Sequence, residues 1–400
     1  MTPLIDDETF ARLEQPIFFS LADTDKYKLS MLLANYYKFP STIAKYRFKC
    51  RTQGVDLTPL IPTMRRQVEQ VAQLSFTDSE LRYFATEKYL TPAFLDLLKG
   101  FRLDSRHVSI ENKDGELSIT VEGSMLKTSM WEIFILAMVN ELYFRMTVSK
   151  PDIDEGRKRL MEKIEMIKSR PKMEGFSIVD FGTRRRFSRE WHAEVVQTLA
   201  RELPEYFVGT SNYYLAKELG ITAIGTMAHE YLQVWQGLVH PLDATKTALN
   251  EWADVFRGDL GVALTDVIGM TQFCSELDLF LAKQFEGFRH DSGCPVEWGY
   301  KLIKRLDELN IDPSSKSGVW SDGLTVPLCL ELYDEFKGRL KTSFGIGTNL
   351  TNDLGYTPLN VVMKIVESNG RPVAKLSDSP GKTMCEDESY VAWLKTSYGK

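Results

Sequence analysis

The sequence has few of the residue types that bind metal ions or form disulfides. Five cysteines occur in 400 residues, an odd count, and no two of them form a Cys-x-x-Cys pair; histidine also occurs only five times. These features argue against a disulfide framework and against zinc-ligand spacing, and they favour a reducing compartment. We therefore expect a cytoplasmic protein in which no metal ion is held by protein ligands alone.

The sequence also lacks a long apolar run and an excess of positive charge. The most apolar stretch, residues 130–144, contains Glu132, Asn140 and Glu141 and is shorter than a membrane span, so we interpret it as a buried helix. The N-terminal residues are acidic early and do not resemble a secretory signal. The formal net charge is −6, which argues against unspecific binding to polyanions. We expect neither a membrane nor a nucleic acid as a partner.

The pattern of predicted elements changes near residue 175. Before it, helical stretches mix with a strand-like alternation at residues 42–50 and a hairpin at residues 107–123, which indicates an α+β layer. After it, short apolar runs alternate with helical stretches, which predicts a parallel sheet covered by helices. A second hairpin, at residues 359–378, is expected to pack back on the first layer.

We therefore predict an α/β fold with two domains. The number of strand–helix units favours an irregular, TIM-like α/β barrel over an open sheet. This barrel-like catalytic domain is expected to comprise residues 126–355. The α+β domain is expected to comprise residues 1–125, joined by the C-terminal hairpin in about residues 356–400.

Reactive and ligand-binding residue types follow the apolar runs. In a βα barrel the loops after the strands converge on one face. Guanidinium groups clamp oxygen anions, carboxylates accept hydrogen bonds from sugar hydroxyls, and glycine-rich turns present backbone N–H groups to phosphate. This set suits a phosphorylated, hydroxyl-rich ligand. The residues at these positions include Arg184, Arg185, Arg186, Arg189, Ser211, His229, Asp266, Arg289, Asp291, Asp322, Gly345, Gly347 and Thr348.

Each of these motifs also has an ordinary structural explanation. The arginines at 184–186 could form a solvated face or an ion-pair network, and Asp-Ser-Gly or Ser-Asp-Gly is a common turn. The Gly-x-Gly turn at residues 345–347 could bind nothing, and a single histidine is more often a core or capping residue than a catalytic one. Their joint occurrence at successive strand ends favours the functional interpretation.

His229 lies where an apolar run at residues 222–225, which is predicted to be a strand, meets a helical stretch. The positive end of the helix dipole disfavours a cationic imidazole, which leaves a neutral nitrogen lone pair. Such a nitrogen can act as a base or accept a phosphoryl group. The adjacent Glu230 is expected to be a helix-start carboxylate.

Seven segments occur in a fixed order between about residues 21 and 382: DTDKYK, DFGTRRRFSRE, VGTSNYYLA, GTMAHE, FRHDSG, SFGIGTNL and VAKLSDSPGK. Together they resemble the nicotinate phosphoribosyltransferase family of type II phosphoribosyltransferases. The resemblance implies a barrel-like domain beside an α+β domain, assembled as a homodimer with shared sites. It also implies the joining of nicotinate to 5-phosphoribosyl-1-diphosphate, which yields nicotinate mononucleotide and diphosphate in NAD salvage. The reaction would be coupled to ATP hydrolysis through a phosphohistidine, with Mg²⁺ arriving on the phosphates.

The resemblance also implies roles for individual residues. His229 matches the phosphorylated histidine, and Arg289 and Asp291 match a pair that contacts the pyridine side and the ribose diphosphate. Ser211 stands where nicotinamide-using relatives carry an aspartate, and a neutral residue there favours the acid as substrate. Asp25 and Tyr27 are expected near the pyridine ring, with Tyr27 reaching the partner subunit's site. Asp322 is expected on the ribose and Lys375 (or Lys382) on the diphosphate. The other expected substrate-binding residues are Arg184, Arg185 and Ser211, together with Gly345, Gly347 and Thr348 around the 5-phosphate.

The sequence departs from the family pattern at two positions. Cys294 stands where the family often has an aspartate, and Gly323 where it often has an asparagine. Three alternatives remain to be separated by experiment: a nicotinamide-specific enzyme of the same fold, a relative that binds nicotinate mononucleotide without catalysis, and a barrel hydrolase with a protein-bound metal.

Overall fold

A computed structural model describes residues 6–379 and 381–399. The strands are β1 (Ile43–Cys50), β2 (Val108–Lys113), β3 (Glu116–Ser124), β4 (Phe176–Asp180), β5 (Phe207–Thr210), β6 (Val262–Leu264), β7 (Gly287–His290), β8 (Ser317–Trp320), β9 (Lys341–Ile346), β10 (Val361–Ser368) and β11 (Arg371–Pro372).

The helices are α1 (Asp7–Glu14), α2 (Lys26–Lys38), α3 (Ile61–Ala72), α4 (Asp78–Phe84), α5 (Pro92–Lys99), α6 (Met125–Thr128), α7 (Trp131–Thr147), α8 (Ile153–Lys168), α9 (Arg189–Glu202), α10 (Tyr213–Leu219), α11 (His229–Val234), α12 (Ala244–Phe256), α13 (Met270–Glu276), α14 (Leu279–Gln284), α15 (Pro295–Glu308), α16 (Val326–Phe336), α17 (Thr348–Thr351) and α18 (Glu388–Ser397). Short 3₁₀ turns connect several of them.

An antiparallel sheet joins the two ends of the chain. Its strand order is β11-β10-β1-β3-β2, so β1 pairs with β10 on one side and with β3 on the other. Both hairpins expected from the sequence are present, and the C-terminal one packs on the first layer as predicted. The exact domain boundaries remain a prediction, because one cluster of buried apolar side chains extends from Leu13 to Val373.

The second sheet is parallel and has the order β5-β4-β9-β8-β7-β6. Residues 223–226 span the gap between its two edge strands. Ala223 forms a parallel bridge to Thr210 at the end of β5, and the Thr226 hydroxyl donates to the Val262 carbonyl of β6 at 3.0 Å. The sheet thus curls into an irregular barrel, and the predicted α/β class is confirmed.

One predicted strand is not a strand. Residues 222–225 form only the single bridge at Ala223. A Cβ on Gly225 would lie 3.1 Å from the Tyr27 backbone nitrogen and 3.2 Å from Lys26 Cβ. The start of α2 therefore lies against this segment, and the close approach replaces further strand pairing.

Helix caps fix the loops at the carboxyl ends of the strands. The Ser188 side chain accepts from the Trp191 amide and starts α9, and Asn212 accepts from Leu215 and starts α10. Thr325 caps α16 in the same way. Because polar caps satisfy the free N–H groups of each helix, the chain leaves each strand through a short, defined turn.

Helix α7 is buried along most of its length, as its apolar sequence predicts. Among the residues that the structure describes, no helix is both long enough and apolar enough to cross a bilayer.

Candidate active site

A cavity of about 820 Å³ lies at the carboxyl ends of the parallel strands, and β10 also contributes to its wall. Twelve of the thirteen site residues expected from the sequence line it. They are Asp25, Tyr27, Arg184, Arg185, Ser211, His229, Arg289, Asp291, Asp322, Gly347, Thr348 and Lys375.

Gly345 is the exception, because it is not part of the cavity wall. A Cβ at this position would lie 2.3 Å from the ring of Phe181, and Phe181 itself lines the cavity. Gly345 leaves room for this aromatic ring, and its contact with the phosphate stays a prediction. A Cβ on Gly347 would lie 3.0 Å from the Phe181 carbonyl, so this turn also needs glycine for close approach.

His229 begins α11 and is held by carboxylates from two strand ends. Its Nε2 lies 2.8 Å from Asp266 Oδ1, after β6, and 3.3 Å from Asp291 Oδ2, after β7. The Lys375 ammonium lies 2.5 Å from Asp266 Oδ2, which also accepts from the Ser292 hydroxyl at 2.6 Å. The sequence marked Asp266 as a strand-end residue but assigned it no role.

The charges of this cluster are set by burial and by mutual contact. Burial, and then the charge of Lys375, lower the pKa of His229 to about 4, although Asp266 acts in the opposite direction. Burial alone would raise the pKa of Asp266, but Lys375 and His229 hold it well below its ordinary value. The histidine is therefore a neutral imidazole beside an ionised carboxylate near neutral pH.

The chain segment after β11 delivers Lys375 to this cluster. The Leu376 amide donates to the Val267 carbonyl, and the Asp378 amide donates to the Ser292 hydroxyl. Further along, Lys382 Nζ lies 2.6 Å from Asp322 Oδ2, after β8. The C-terminal segment thus crosses the strand ends and contributes two cations to the cavity.

The sequence spacing suggested no metal cluster, yet one ligand atom from each of His229, Asp266 and Asp291 lies within 4.8 Å of the others. Both oxygens of Asp266 are already used by protein donors, and the Lys375 ammonium supplies positive charge at the same place. These contacts disfavour a metal ion that is bound by protein side chains alone. A Mg²⁺ ion that arrives on a phosphate could still meet the oxygens of Asp291, which are acceptors of the kind it prefers.

The arginine run divides into two cavity residues and one buried residue. Arg184 is partly exposed and lies 3.4 Å from Glu132, whereas Arg185 donates to the Val361 carbonyl. Burial, and then Arg184, lower the pKa of Arg185 to about 10. Arg186 is fully buried and belongs to a structural ion-pair network rather than to the cavity.

A buried lysine links the histidine helix to the arginine loop. Lys28 Nζ lies 2.6 Å from Glu230 and 2.7 Å from Glu132, and Glu132 also contacts Arg184. Burial would raise the pKa of Glu132, but Lys28 and Arg184 hold it at about 2. Sequence reasoning did not assign this network. The available signal was Glu132 itself, a charge inside the most apolar segment.

Ser211 does not present a free hydroxyl to the cavity. It donates to Asp25 Oδ1 at 2.7 Å, and both side chains line the cavity wall. Tyr27 lies in the cavity of its own chain, and its buried hydroxyl has no hydrogen-bond partner among residues 6–379 and 381–399.

The remaining predicted residues lie on β7, β8 and their loops. Asp291 Oδ1 accepts from the Ser321 hydroxyl at 2.9 Å, and Arg289 donates to the Met227 carbonyl at 3.1 Å, two residues before His229. Cys294 is exposed at the start of α15 and is not part of the cavity wall.

Fold and cavity together define an α/β-barrel enzyme whose site combines a carboxylate-held imidazole with arginines, lysines, carboxylates and a glycine turn, which are the kinds of group that suit phosphate and sugar hydroxyls. Residues 22–140 match the model of the nicotinate phosphoribosyltransferase N-terminal domain, and residues 176–400 match that of the nicotinate phosphoribosyltransferase family. The chain belongs to the nicotinate phosphoribosyltransferase family.

Relatives and solved structures agree with this assignment over nearly the whole chain. A nicotinate phosphoribosyltransferase of Burkholderia mallei is 49% identical over 387 residues, which are 96% of this chain and 97% of the relative. One of Xanthomonas axonopodis pv. citri is 46% identical, over 96% of this chain and 98% of the relative. The crystal structure of a nicotinate phosphoribosyltransferase from Vibrio cholerae superposes with a TM-score of 0.93 at 36% identity, covering 97% of this chain and 95% of that one. One from Porphyromonas gingivalis gives 0.91 at 33% identity, covering 96% and 100%.

Proposed function

We propose that this protein is an ATP-coupled nicotinate phosphoribosyltransferase. It would form nicotinate mononucleotide and diphosphate from nicotinate and 5-phosphoribosyl-1-diphosphate, in NAD salvage. The observation that carries the coupling is the contact between His229 and Asp266 at 2.8 Å, in a cavity that also holds phosphate-binding groups. The family and the named relatives support the transferase activity.

The histidine contact indicates which nitrogen accepts phosphate. Asp266 accepts the Nε2–H, so the lone pair of the neutral ring lies on Nδ1. We propose that Nδ1 attacks the γ-phosphorus of ATP, the N–P bond forms, and the bond to the bridging oxygen breaks as ADP leaves with its electron pair. Asp266 stabilises the positive charge that the ring acquires. Water later cleaves the N–P bond and releases phosphate.

The phosphorylated histidine is proposed to act on the ribosyl substrate through charge and hydrogen bonding, not as a nucleophile toward the sugar. A phosphoryl group adds negative charge and acceptor oxygens beside Asp291. Mg²⁺ bound to the diphosphate would neutralise part of its charge. The protein residues position the ligand, with Asp322 placed to accept from ribose hydroxyls and the turn at Gly347 and Thr348 placed at the 5-phosphate.

In the transfer step the pyridine nitrogen forms a bond to ribosyl C1 while the bond from C1 to the diphosphate oxygen breaks. Positive charge develops on the sugar, and negative charge collects on the leaving diphosphate. Lys375, Arg185 and Arg289 line the cavity, and we propose that these cations stabilise that negative charge.

We propose that nicotinate is preferred over nicotinamide. Ser211 is neutral, and its hydroxyl holds the Asp25 carboxylate, so it adds no second negative charge beside the ring. Arg184 supplies a guanidinium in the same wall. Phe181 and Tyr27 offer aromatic surfaces for the pyridine ring.

We also propose a homodimer in the cytoplasm. The support is the family resemblance and the cysteine usage, and size-exclusion chromatography with light scattering tests the assembly.

The decisive experiment follows both half-reactions in the purified protein. Formation of nicotinate mononucleotide and diphosphate should be seen with nicotinate, with at least about tenfold lower kcat/KM for nicotinamide. Intact-mass spectrometry after incubation with ATP should show one acid-labile phosphoryl group. Preference for the amide would indicate the nicotinamide-specific alternative. Binding of nicotinate mononucleotide without diphosphate release would indicate a non-catalytic relative, and neither transfer nor phosphorylation would overturn the proposal.

A further inference from the structure

Two loops carry the residues proposed to face the pyridine ring. The arginine loop, residues 181–186, follows β4 and contains Arg184. The serine loop, residues 210–213, follows β5 and contains Ser211. These loops follow β4 and β5, whereas the carboxylates that hold His229 follow β6 and β7; residues 223–226 bridge β5 to β6.

Asp180, the last residue of β4, bonds to both loops. Its Oδ1 accepts from the Gly182 amide at 2.9 Å, and its Oδ2 accepts from the Thr210 hydroxyl at 2.6 Å. Its backbone carbonyl accepts from the Ser211 amide at 2.8 Å. The Thr210 hydroxyl in turn accepts from the Asn212 amide at 3.0 Å. One carboxylate thus fixes the separation of the two loops.

His192 of α9 holds this carboxylate from behind. Its Nε2 lies 2.7 Å from Asp180 Oδ2, and both side chains are fully buried. Its other ring nitrogen, Nδ1, has no hydrogen-bond partner within the described residues. A buried side chain with these partners keeps one geometry, because a rotated side chain would lose its hydrogen bonds.

We infer that Asp180 is a positioning residue for the pyridine substrate, and that Thr210 and His192 hold it in place. The inference rests on the proposed nicotinate phosphoribosyl transfer. Asp180 does not line the cavity, so it acts through the two loops that do. Weakening its bonds should misplace Arg184 relative to Ser211. The histidine cluster should keep its contacts, because His229 is held by Asp266 and Asp291, which follow β6 and β7, whereas Asp180 bonds to Gly182, Thr210 and Ser211.

The test uses Thr210→Val, which removes the hydroxyl and preserves the side-chain shape. The backbone bonds of residue 210 to Thr222 and Ile224 are kept. We expect the KM for nicotinate to rise at least about tenfold, since small displacements of positioning groups have large effects on productive binding. The KM for 5-phosphoribosyl-1-diphosphate and the rate of phosphorylation of His229 by ATP should stay within about twofold of the parent.

Two variants control for a merely structural effect. Thr210→Ser keeps the hydroxyl and should restore the parent KM for nicotinate. Thr342→Val removes another buried hydroxyl, at the opposite end of the barrel, where it donates to the Gly175 carbonyl. This variant should match the parent in all three kinetic measurements.

The outcomes separate this inference from the proposed function. A parent enzyme that does not convert nicotinate would overturn the proposed function itself. The positioning role would be overturned if the parent is active and Thr210→Val has an unchanged KM for nicotinate, or if Thr210→Val is impaired alike in all three measurements.

If Thr210→Val does not fold, the variants His192→Gln and His192→Leu decide the question. The glutamine keeps an N–H donor toward Asp180 and should keep the KM for nicotinate, whereas the leucine should raise this KM.

Discussion

The imidazole of His229 and the carboxylate of Asp266 form a buried pair, with Nε2 and Oδ1 separated by 2.8 Å. The pair lies at the end of β6, with Asp291 of the next strand end beside it. This contact orients the ring and fixes its tautomer, so variants that change single side chains of the pair test the chemistry of the site.

Replacement His229→Asn should abolish ATP-stimulated turnover and leave weak, ATP-independent transfer. The variant keeps the cavity that positions both substrates but removes the nitrogen that accepts phosphate. Initial rates of nicotinate mononucleotide formation with and without ATP give the ratio directly. An undiminished stimulation by ATP in this variant would refute the role of His229.

Replacement Asp266→Asn should slow phosphorylation of His229 by about 100-fold or more, because an amide no longer fixes the tautomer or stabilises the charged ring. Rapid quenching with labelled ATP measures this step. The variant Asp278→Asn, which alters an aspartate that is not part of the cavity wall, is a suitable control. Equal phosphorylation rates in Asp266→Asn and the parent would exclude the tautomer argument.

The phosphorylation rate should remain nearly constant from pH 8 to about pH 6. Burial and Lys375 lower the pKa of His229 to about 4, so the folded protein binds this proton only at a pH well below the value for a free side chain. An exposed imidazole, with a pKa of about 6.5, would be mostly protonated at pH 6 and would lose its nucleophilic form. Single-turnover phosphorylation across this range distinguishes the two cases. A decline centred near pH 6.5 would show that the ring is not buried as described.

Replacement Arg186→Met should destabilise the fold by about 3–5 kcal/mol, because it removes the cation that bonds directly to two buried carboxylates. They would keep only longer contacts to cations, from Asp23 to Arg189 at 3.6 Å and from Glu141 to Arg145 at 3.8 Å. Arg186 is fully buried and contacts Asp23 at 2.7 Å and Glu141 at 2.7 Å. Urea denaturation measures the change. The same replacement at Arg106, whose side chain is 88% exposed, should leave the free energy of unfolding nearly unchanged, and equal effects at the two positions would contradict the argument.

The fold class could be predicted because the sequence patterns that indicate it lie within short segments of the chain. The hairpin at residues 107–123 has its turn in the sequence, and the strand–helix alternation after residue 175 requires a parallel sheet. The prediction of a strand at residues 222–225 was wrong because the contacts that limit the pairing of this segment are not local in sequence. Its pairing is limited by Lys26 and Tyr27, which are distant in sequence and approach through Gly225.

The candidate site was predictable where a residue follows a strand. Asp291 and Asp322 could be placed on this basis because loops after parallel strands converge. His229 follows residues 222–225, which form only one bridge, yet that bridge to β5 still brings it to the same face. Contacts between side chains were not predictable in the same way. Nothing in the sequence indicates that Lys28 lies between two glutamates from other helices, or that the Ser211 hydroxyl is taken by Asp25.

The cations of the C-terminal segment are the last residues of the cavity wall to be synthesised. A ribosome would have produced α2, β4 to β9 and His229 long before Lys375 and Lys382 were available to reach Asp266 and Asp322. A partly synthesised chain therefore has no complete charge arrangement at its histidine.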